Sequence, residues 1–297
     1  MKREVFLCSI SNVSSGGCSE DCSYCTQSAH YETNVPRYKY KDPKEVINEA
    51  KELKKYGMVG FCLVTSGRGL DDKKCDYIAS LAQEIKKEVS DIHLIACCGR
   101  ASEDSLKHLK AHGIDTYNHN LESAQSFFGS ICRTHTWEER FETCENALKA
   151  GLGLCSGGIF GLGEEWEHRI ELLKALRSLS PHSVPINFFI PHPSLPLKRE
   201  VMSKEEALEC ILLAKEYLPN ARLMIAGGRE RVFGEDQKKM FEYGISAIVL
   251  GNYLTTLGET PKKDLEMLQK YDLQIMDIQA SLALLKREGL GLAQECK

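Results

Sequence analysis

No stretch of this chain stays apolar for the roughly 18 residues that a membrane-spanning helix needs. A surplus of one charge sign is missing as well. The 297 residues sum to a formal net charge of −4 and the Lys and Arg are scattered, which gives a nucleic acid or an anionic membrane nothing to hold. The start, Met1-Lys2-Arg3-Glu4, passes at once into a strand-like run without the apolar core or cleavage site of an export signal, so a cytoplasmic protein is expected. There is no Pro/Gly/Ser-rich linker and no shift in composition, and one domain over residues 1–297 is expected. Cysteine, by contrast, is in excess: 13 residues, an odd number. Without a sign of export, so many thiols point to metal binding or redox chemistry rather than disulfides. About half of them, including Cys75, Cys132, Cys144 and Cys210 in or near helical patterns, are expected to be small buried hydrophobes.

Strand-like and helix-like segments alternate from end to end. Strands are expected at Val5–Ile10, Val59–Val64, His93–Cys97, Asp115–Asn118, Gly153–Cys155, Val184–Phe189, Arg222–Ala226 and Ala247–Leu250. Helices are expected at Pro43–Tyr56, Asp72–Val89, Ser102–Ala111, Thr136–Ala150, Glu164–Leu179, Ser203–Tyr217, Glu235–Tyr243 and Pro261–Lys286. Asp42 as N-cap, Pro43 in the first turn and Gly57 as stop frame the first helix. The helices carry apolar residues at i, i+3, i+4, whereas the strands are apolar nearly throughout, as where both sheet faces are covered. Eight such pairs predict an α/β fold, a (βα)8 barrel of the TIM type, with a doubly wound open sheet as the alternative. Asn12–Lys41, about thirty residues after the first strand, is too long for a plain connection. In a barrel it lies at the C-terminal end of the strands, where active sites are found.

Inside that loop stands Cys18-Ser-Glu-Asp-Cys22-Ser-Tyr-Cys25, a C-x3-C-x2-C spacing expected by chance only about 0.02 times at this cysteine frequency. A closed structural zinc site needs four ligands, and no second cysteine pair follows. Three thiolates on one short loop suit a four-iron cluster that leaves one iron open. With an aromatic residue before the last cysteine and a position after the first strand of a βα series, the loop resembles that of the radical S-adenosylmethionine enzymes. The resemblance implies that Cys18, Cys22 and Cys25 hold a 4Fe–4S cluster. It also implies that the open iron chelates S-adenosylmethionine and that Tyr24 packs beside the adenine.

A second set of residues falls at the strand ends. Cys62, Cys97 and Cys155 lie on or at the ends of three strands, and Arg229 follows another in Ala226-Gly-Gly-Arg-Glu230. At matching heights in a barrel they would project inward, and a buried arginine needs a partner. Together they suggest a second metal site inside the barrel. Cys98, next to Cys97, should point to the opposite face. The segments Gly17–Ser28, Tyr117-Asn-His-Asn-Leu-Glu122, Leu154–Glu164, Val184-Pro-Ile-Asn187 and Ala226–Glu230 resemble the biotin synthases, in family order over roughly residues 8 to 275.

That resemblance implies a 2Fe–2S cluster on Cys62, Cys97, Cys155 and Arg229, and sulfur insertion into dethiobiotin. It implies further that Asn120 and Glu122 bind the adenosyl ribose, and that the backbone of Gly157–Glu164, Gly158 and Gly161 included, approaches the adenine. Asn118 and Asn187 would meet the ureido ring of dethiobiotin, Asn120 would also touch the substrate, and Thr255 and Thr256 would meet its carboxylate. A reducing electron-transfer protein of flavodoxin or ferredoxin type and a homodimer are implied as partners. Two positions depart from the family pattern: Ser14 stands where many members have lysine, and Gly60 where many have arginine. Both bear on the substrate contacts, and they keep open a related radical enzyme with another substrate. A non-catalytic iron–sulfur or zinc protein is the alternative of a different class.

Overall fold

The computed structural model describes residues 3–255 and 257–277. Its first strand, β1 (Glu4–Ser14), is followed by α1 (Pro43–Lys54), β2 (Gly60–Thr65), α2 (Asp72–Glu88), β3 (His93–Cys97), α3 (Glu103–Ala111) and β4 (Thr116–Asn118). Next come α4 (Gln125–Phe128), α5 (Trp137–Lys149), β5 (Gly153–Cys155), β6 (Gly158–Phe160), α6 (Trp166–Leu179), β7 (Ser183–Phe188) and α7 (Lys204–Tyr217). The last elements are β8 (Arg222–Gly227), α8 (Arg229–Phe233), α9 (Lys238–Glu242), β9 (Ala247–Leu250), α10 (Pro261–Lys270) and β10 (Gln274–Ile275). Local chemistry sets the helix starts. The Asp42 carboxylate accepts from Lys44 N–H ahead of Pro43, and Thr136 and Glu139 form a reciprocal capping box before α5.

All strand pairings are parallel, in the order β1-β2-β3-β4-β5-β7-β8-β9, and β9 returns to β1 through Phe6 opposite Ala247 and Cys8 opposite Val249. The sheet is therefore a closed barrel. β5 and β6 share one position in it: β5 meets β7 only at Cys155, and β6 continues the pairing from Gly158. A Cβ on the intervening Gly157 would sit 2.0 Å from the Pro185 carbonyl oxygen, so only glycine fits where the strand breaks.

Alternation along each strand makes two packing layers. Leu7, Phe61, Leu63, Leu94, Leu154, Ile186, Leu223 and Ile248 face the helices, while Phe6, Cys8, Cys62, Val64, Ile95, Cys155, Met224 and Val249 fill the barrel. The helix expected to reach residue 286 ends at Lys270. Asp272 adopts left-handed φ of 54° and the chain reappears as β10 beside the start of β1; residues 278–297 lie outside the described residues. Leu273 and Ile275 stand two apart, the strand period, and the left-handed Asp272 ends the helix just before them.

Candidate active site at the mouth and interior of the barrel

The loop after β1 is braced by its own hydrogen bonds. Ser15 and Tyr38 exchange backbone bonds, Cys18 N–H donates to Gln27 O at 3.0 Å, and Ala29 N–H donates to Cys18 O at 2.7 Å. Burial raises the Asp21 carboxyl, but bonds from Arg133 N–H and Thr134 outweigh it and hold its pKa down to about 2, so a charged Asp21 fastens the loop to the segment before α5. Cys18, Cys22, Tyr24 and Cys25 line one cavity together with Cys97, Asn120, Glu122 and Arg140. Burial pushes Cys25 up to about 11 and also raises Cys18; Cys22 is raised by its bond to Cys132 and by burial. These thiols hold their protons until a metal displaces them.

Cys62, Cys97 and Cys155 share one inward cluster with Cys8, directly below that cavity. Burial raises all four, Cys97 and Cys8 to about 12, and Cys62 is raised further by the nearby Cys97, Cys8 and Cys155. Cys98 faces the helix layer, its thiol 4.0 Å from Leu63 O. Arg229 is not with these thiols. The left-handed Gly228 turns the chain, so Arg229 opens α8 instead of extending β8. Its guanidinium donates to Asp264 at 2.5 Å, Gln237 at 2.6 Å and Tyr253 at 3.2 Å. The arginine turned toward the thiols is Arg222. It shares the inward face of β8 with Met224, stacks over the Phe6 ring at 4.4 Å and acts electrostatically on Cys8 and Cys155.

The end of β4 and the turn after it supply the polar wall. Asn120 Oδ1 accepts from Gly157 N–H at 3.1 Å, and Arg140 donates to Asn120 O at 2.7 Å and to Glu122 Oε1 at 3.1 Å. Glu122 sits at φ 67°, a strained conformation for a non-glycine residue that these bonds hold in place. Burial raises its carboxyl, its Oε2 has no partner, and neither has the buried Asn118 Oδ1. Asn187 donates to Gly158 O at 3.2 Å and borders a second cavity with Tyr24, Thr26, His192 and Thr255. Thr26 and Thr255 bond at 2.8 Å; Thr256 lies outside the described residues. Gly158 and Gly161 border neither cavity: Gly158 packs on Glu122 O, and Gly161 N–H donates to Glu164.

The two departures have local reasons. Ser14 Oγ meets Ser66 Oγ at 3.3 Å. A Cβ on Gly60 would stand 2.9 Å from the Phe6 ring and 3.3 Å from Cys8 Sγ, so those side chains occupy the space a longer residue would need. Arg140, Arg222 and Cys8 were missed from sequence. Arg140 sits among charges on a helix and gives no signal. Arg222 and Cys8 could have been found as the polar member and the inward thiol of otherwise apolar strands.

A closed βα barrel that carries three thiols on its first long loop defines the class, a radical S-adenosylmethionine enzyme. The model of the Radical SAM superfamily matches residues 12–176, and that of the Biotin and Thiamin Synthesis associated domain matches residues 185–274. Biotin synthase of Helicobacter pylori (strain P12) is 65% identical over 274 residues, 91% of this chain and 97% of that protein. Biotin synthase of Helicobacter hepaticus is 62% identical over 271 residues, 91% and 96% of the two chains. The chain belongs to the biotin synthase family. Methylornithine synthase shares the fold at a TM-score of 0.80 and 17% identity, covering 95% of this chain and 86% of that one. The FeFe-hydrogenase maturase of Carboxydothermus hydrogenoformans does so at 0.79 and 19%, covering 92% and 67%.

Proposed function

We propose that the protein makes biotin by inserting one sulfur atom between two saturated carbons of dethiobiotin, with S-adenosylmethionine as the radical source. The observation that carries this reading is the continuity of the two thiol sets: Cys97 borders the same cavity as the loop cysteines, with Cys62 and Cys155 beside it in the barrel. The residues fit the groups this chemistry needs. Cys18, Cys22 and Cys25 would hold a 4Fe–4S cluster and leave one iron for the cofactor. Cys62, Cys97 and Cys155 would hold a 2Fe–2S cluster, with Arg222 in the place first expected for Arg229. When bound, these groups supply the electron that breaks the sulfonium C–S bond of S-adenosylmethionine and the sulfide that is transferred.

The chain itself binds, orients and excludes water. Unactivated C–H bonds give a side-chain acid or base nothing to do, so positioning is its main contribution. Tyr24 and the unpartnered Glu122 Oε2 stand where an adenosyl group would meet the loop, and Gly157 and Arg140 hold Asn120 and Glu122 in register. Asn118 Oδ1 offers a buried acceptor to a ureido N–H, Asn187 borders the adjoining cavity, and Thr255 lies at its rim. A low-potential flavodoxin- or ferredoxin-type protein completes the reaction as electron donor, and the enzyme works as a cytoplasmic homodimer; no helix of the described residues is long and apolar enough to cross a membrane. The test is an anaerobic reaction of iron- and sulfide-loaded protein with S-adenosylmethionine, dethiobiotin and a strong reductant, read by mass spectrometry. Biotin with 5′-deoxyadenosine is expected; deoxyadenosine without biotin would reject the substrate and point to Ser14 and Gly60.

A further inference from the structure

Cys132, expected from sequence to be a buried hydrophobe, is buried but not inert. It lies in the segment between α4 and α5, and its Sγ is 3.7 Å from Sγ of Cys22 in the loop after β1. Three residues on, His135 places Nδ1 3.2 Å and Nε2 3.9 Å from Cys132 Sγ, and its Nδ1 also lies 2.7 Å from Glu20 Oε2. One ligand atom from each of Cys22, Cys132 and His135 lies within 4.8 Å of the others. The two segments are sewn together: Ser23 N–H donates to Ile131 O at 2.8 Å, Asp21 accepts from Arg133 N–H and Thr134 N–H, and the Phe128 ring edges onto His135.

The Cys22–Cys132 and Cys132–His135 Nε2 separations are close to those of a tetrahedral ion, and Cys22 and His135 lie within 4.8 Å of each other. Two thiolates about 2.3 Å from zinc stand about 3.8 Å apart at the tetrahedral angle, and a thiolate and an imidazole nitrogen about 3.6 Å. The donors already stand within a few tenths of an ångström of both values. Glu20 fixes the His135 ring by accepting from Nδ1–H, as carboxylates orient metal-binding histidines. Arg140, which donates to Nε2 at 3.1 Å, keeps Asn120 O and Glu122 as acceptors when it yields that lone pair.

We propose that Cys22, Cys132 and His135, oriented by Glu20, form a site for a thiophilic divalent cation such as Zn2+. The ion enters when the loop carries no iron cluster and withholds Cys22 from iron. Only this last consequence rests on reading Cys22 as a cluster ligand. Binding sends to solvent the Cys22 thiol proton, which Cys22 otherwise donates to Cys132 Sγ, with no change of oxidation state. The fourth position is left to water.

The test uses chelator-treated, cluster-free full-length protein under anaerobic conditions, titrated with Zn2+ against a chromophoric chelator. One ion per chain is expected in the wild type and in Cys25→Ser, which lacks a loop thiol. Cys132→Ser should weaken binding by more than about a hundredfold and Glu20→Gln by about tenfold, with circular dichroism showing both folded. Co2+ in the wild type should give the spectrum of a tetrahedral ion with two thiolates, a readout that needs no variant. Prior Zn2+ should slow four-iron assembly, followed by absorbance, in the wild type and not in Cys132→Ser. Zinc lost in Cys25→Ser but kept in Cys132→Ser would place the ion on the three loop thiols and overturn the proposal, as would no stoichiometric binding. Unimpeded cluster assembly in zinc-loaded protein would overturn the exclusion of iron. Zinc bound as expected by a protein that makes no biotin upholds this site and refutes the proposed function.

Discussion

Replacing Asp264 by alanine removes the carboxylate that holds Arg229. Arg229 is 0% exposed and Asp264 1%, and their bond is 2.5 Å long. Once Asp264 is gone, the guanidinium keeps Tyr253 and Gln237, which are neutral, and Glu230 at 3.3 Å, which is partly exposed. Breaking a buried pair in this way costs about 3–5 kcal/mol. The remaining Glu230 puts the loss near the lower bound, about 3 kcal/mol, or roughly 6 °C in Tm for a chain of this size. Arg229→Met in the same background should recover most of it, because the stranded charge is then gone. Since Arg229 does not face the strand-end thiols, iron content and two-iron absorption should be unchanged in Arg229→Met. The assay is anaerobic thermal unfolding by circular dichroism, with iron analysis on the same samples. A loss below about 1 kcal/mol in Asp264→Ala would refute the anchoring role. Loss of the two-iron absorption in Arg229→Met would refute the assignment of that place to Arg222.

Three further outcomes follow from the same geometry. Burial pushes His93 down to about 4 while its ring bonds Thr116 at 2.8 Å; the unfolded chain therefore binds that proton first. Stability should fall as pH drops from about 6.5 toward 4, by up to about 3 kcal/mol, and His93→Gln should flatten that slope in urea titrations at several pH values. Cys97→Ser should strip the two-iron absorption and Cys98→Ser should leave it, a contrast that absorbance and iron analysis read directly, because adjacent residues face opposite layers. Arg222→Met should shift the two-iron spectrum while leaving the four-iron cluster in place; an unaltered spectrum would remove Arg222 from that site.

The barrel was legible because nearly continuous apolar runs of strand length and period-3.6 amphipathic runs alternated without interruption, and strand positions such as His93–Cys97 and Ala247–Leu250 match the structure. The break between β5 and β6 was not, because Ser156 and Gly157 read as a turn while the pairing resumes immediately beyond them. The three-cysteine loop needed only local spacing. Arg229 misled because Gly227-Gly228-Arg229 directly follows a strand, and the partner that claims it, Asp264, stands 35 residues away. Cys132 was hidden for the same reason: its neighbour Cys22 is 110 residues distant, and long-range pairing leaves no periodic trace.

The central claim is that sulfur leaves from the thiol-lined interior of the barrel, next to the site where the radical forms. The direct measurement is an anaerobic single turnover of Cys155→Ala, with biotin and 5′-deoxyadenosine quantified together by mass spectrometry. The account predicts that deoxyadenosine persists and biotin disappears. Biotin at the wild-type yield from Cys155→Ala would contradict it.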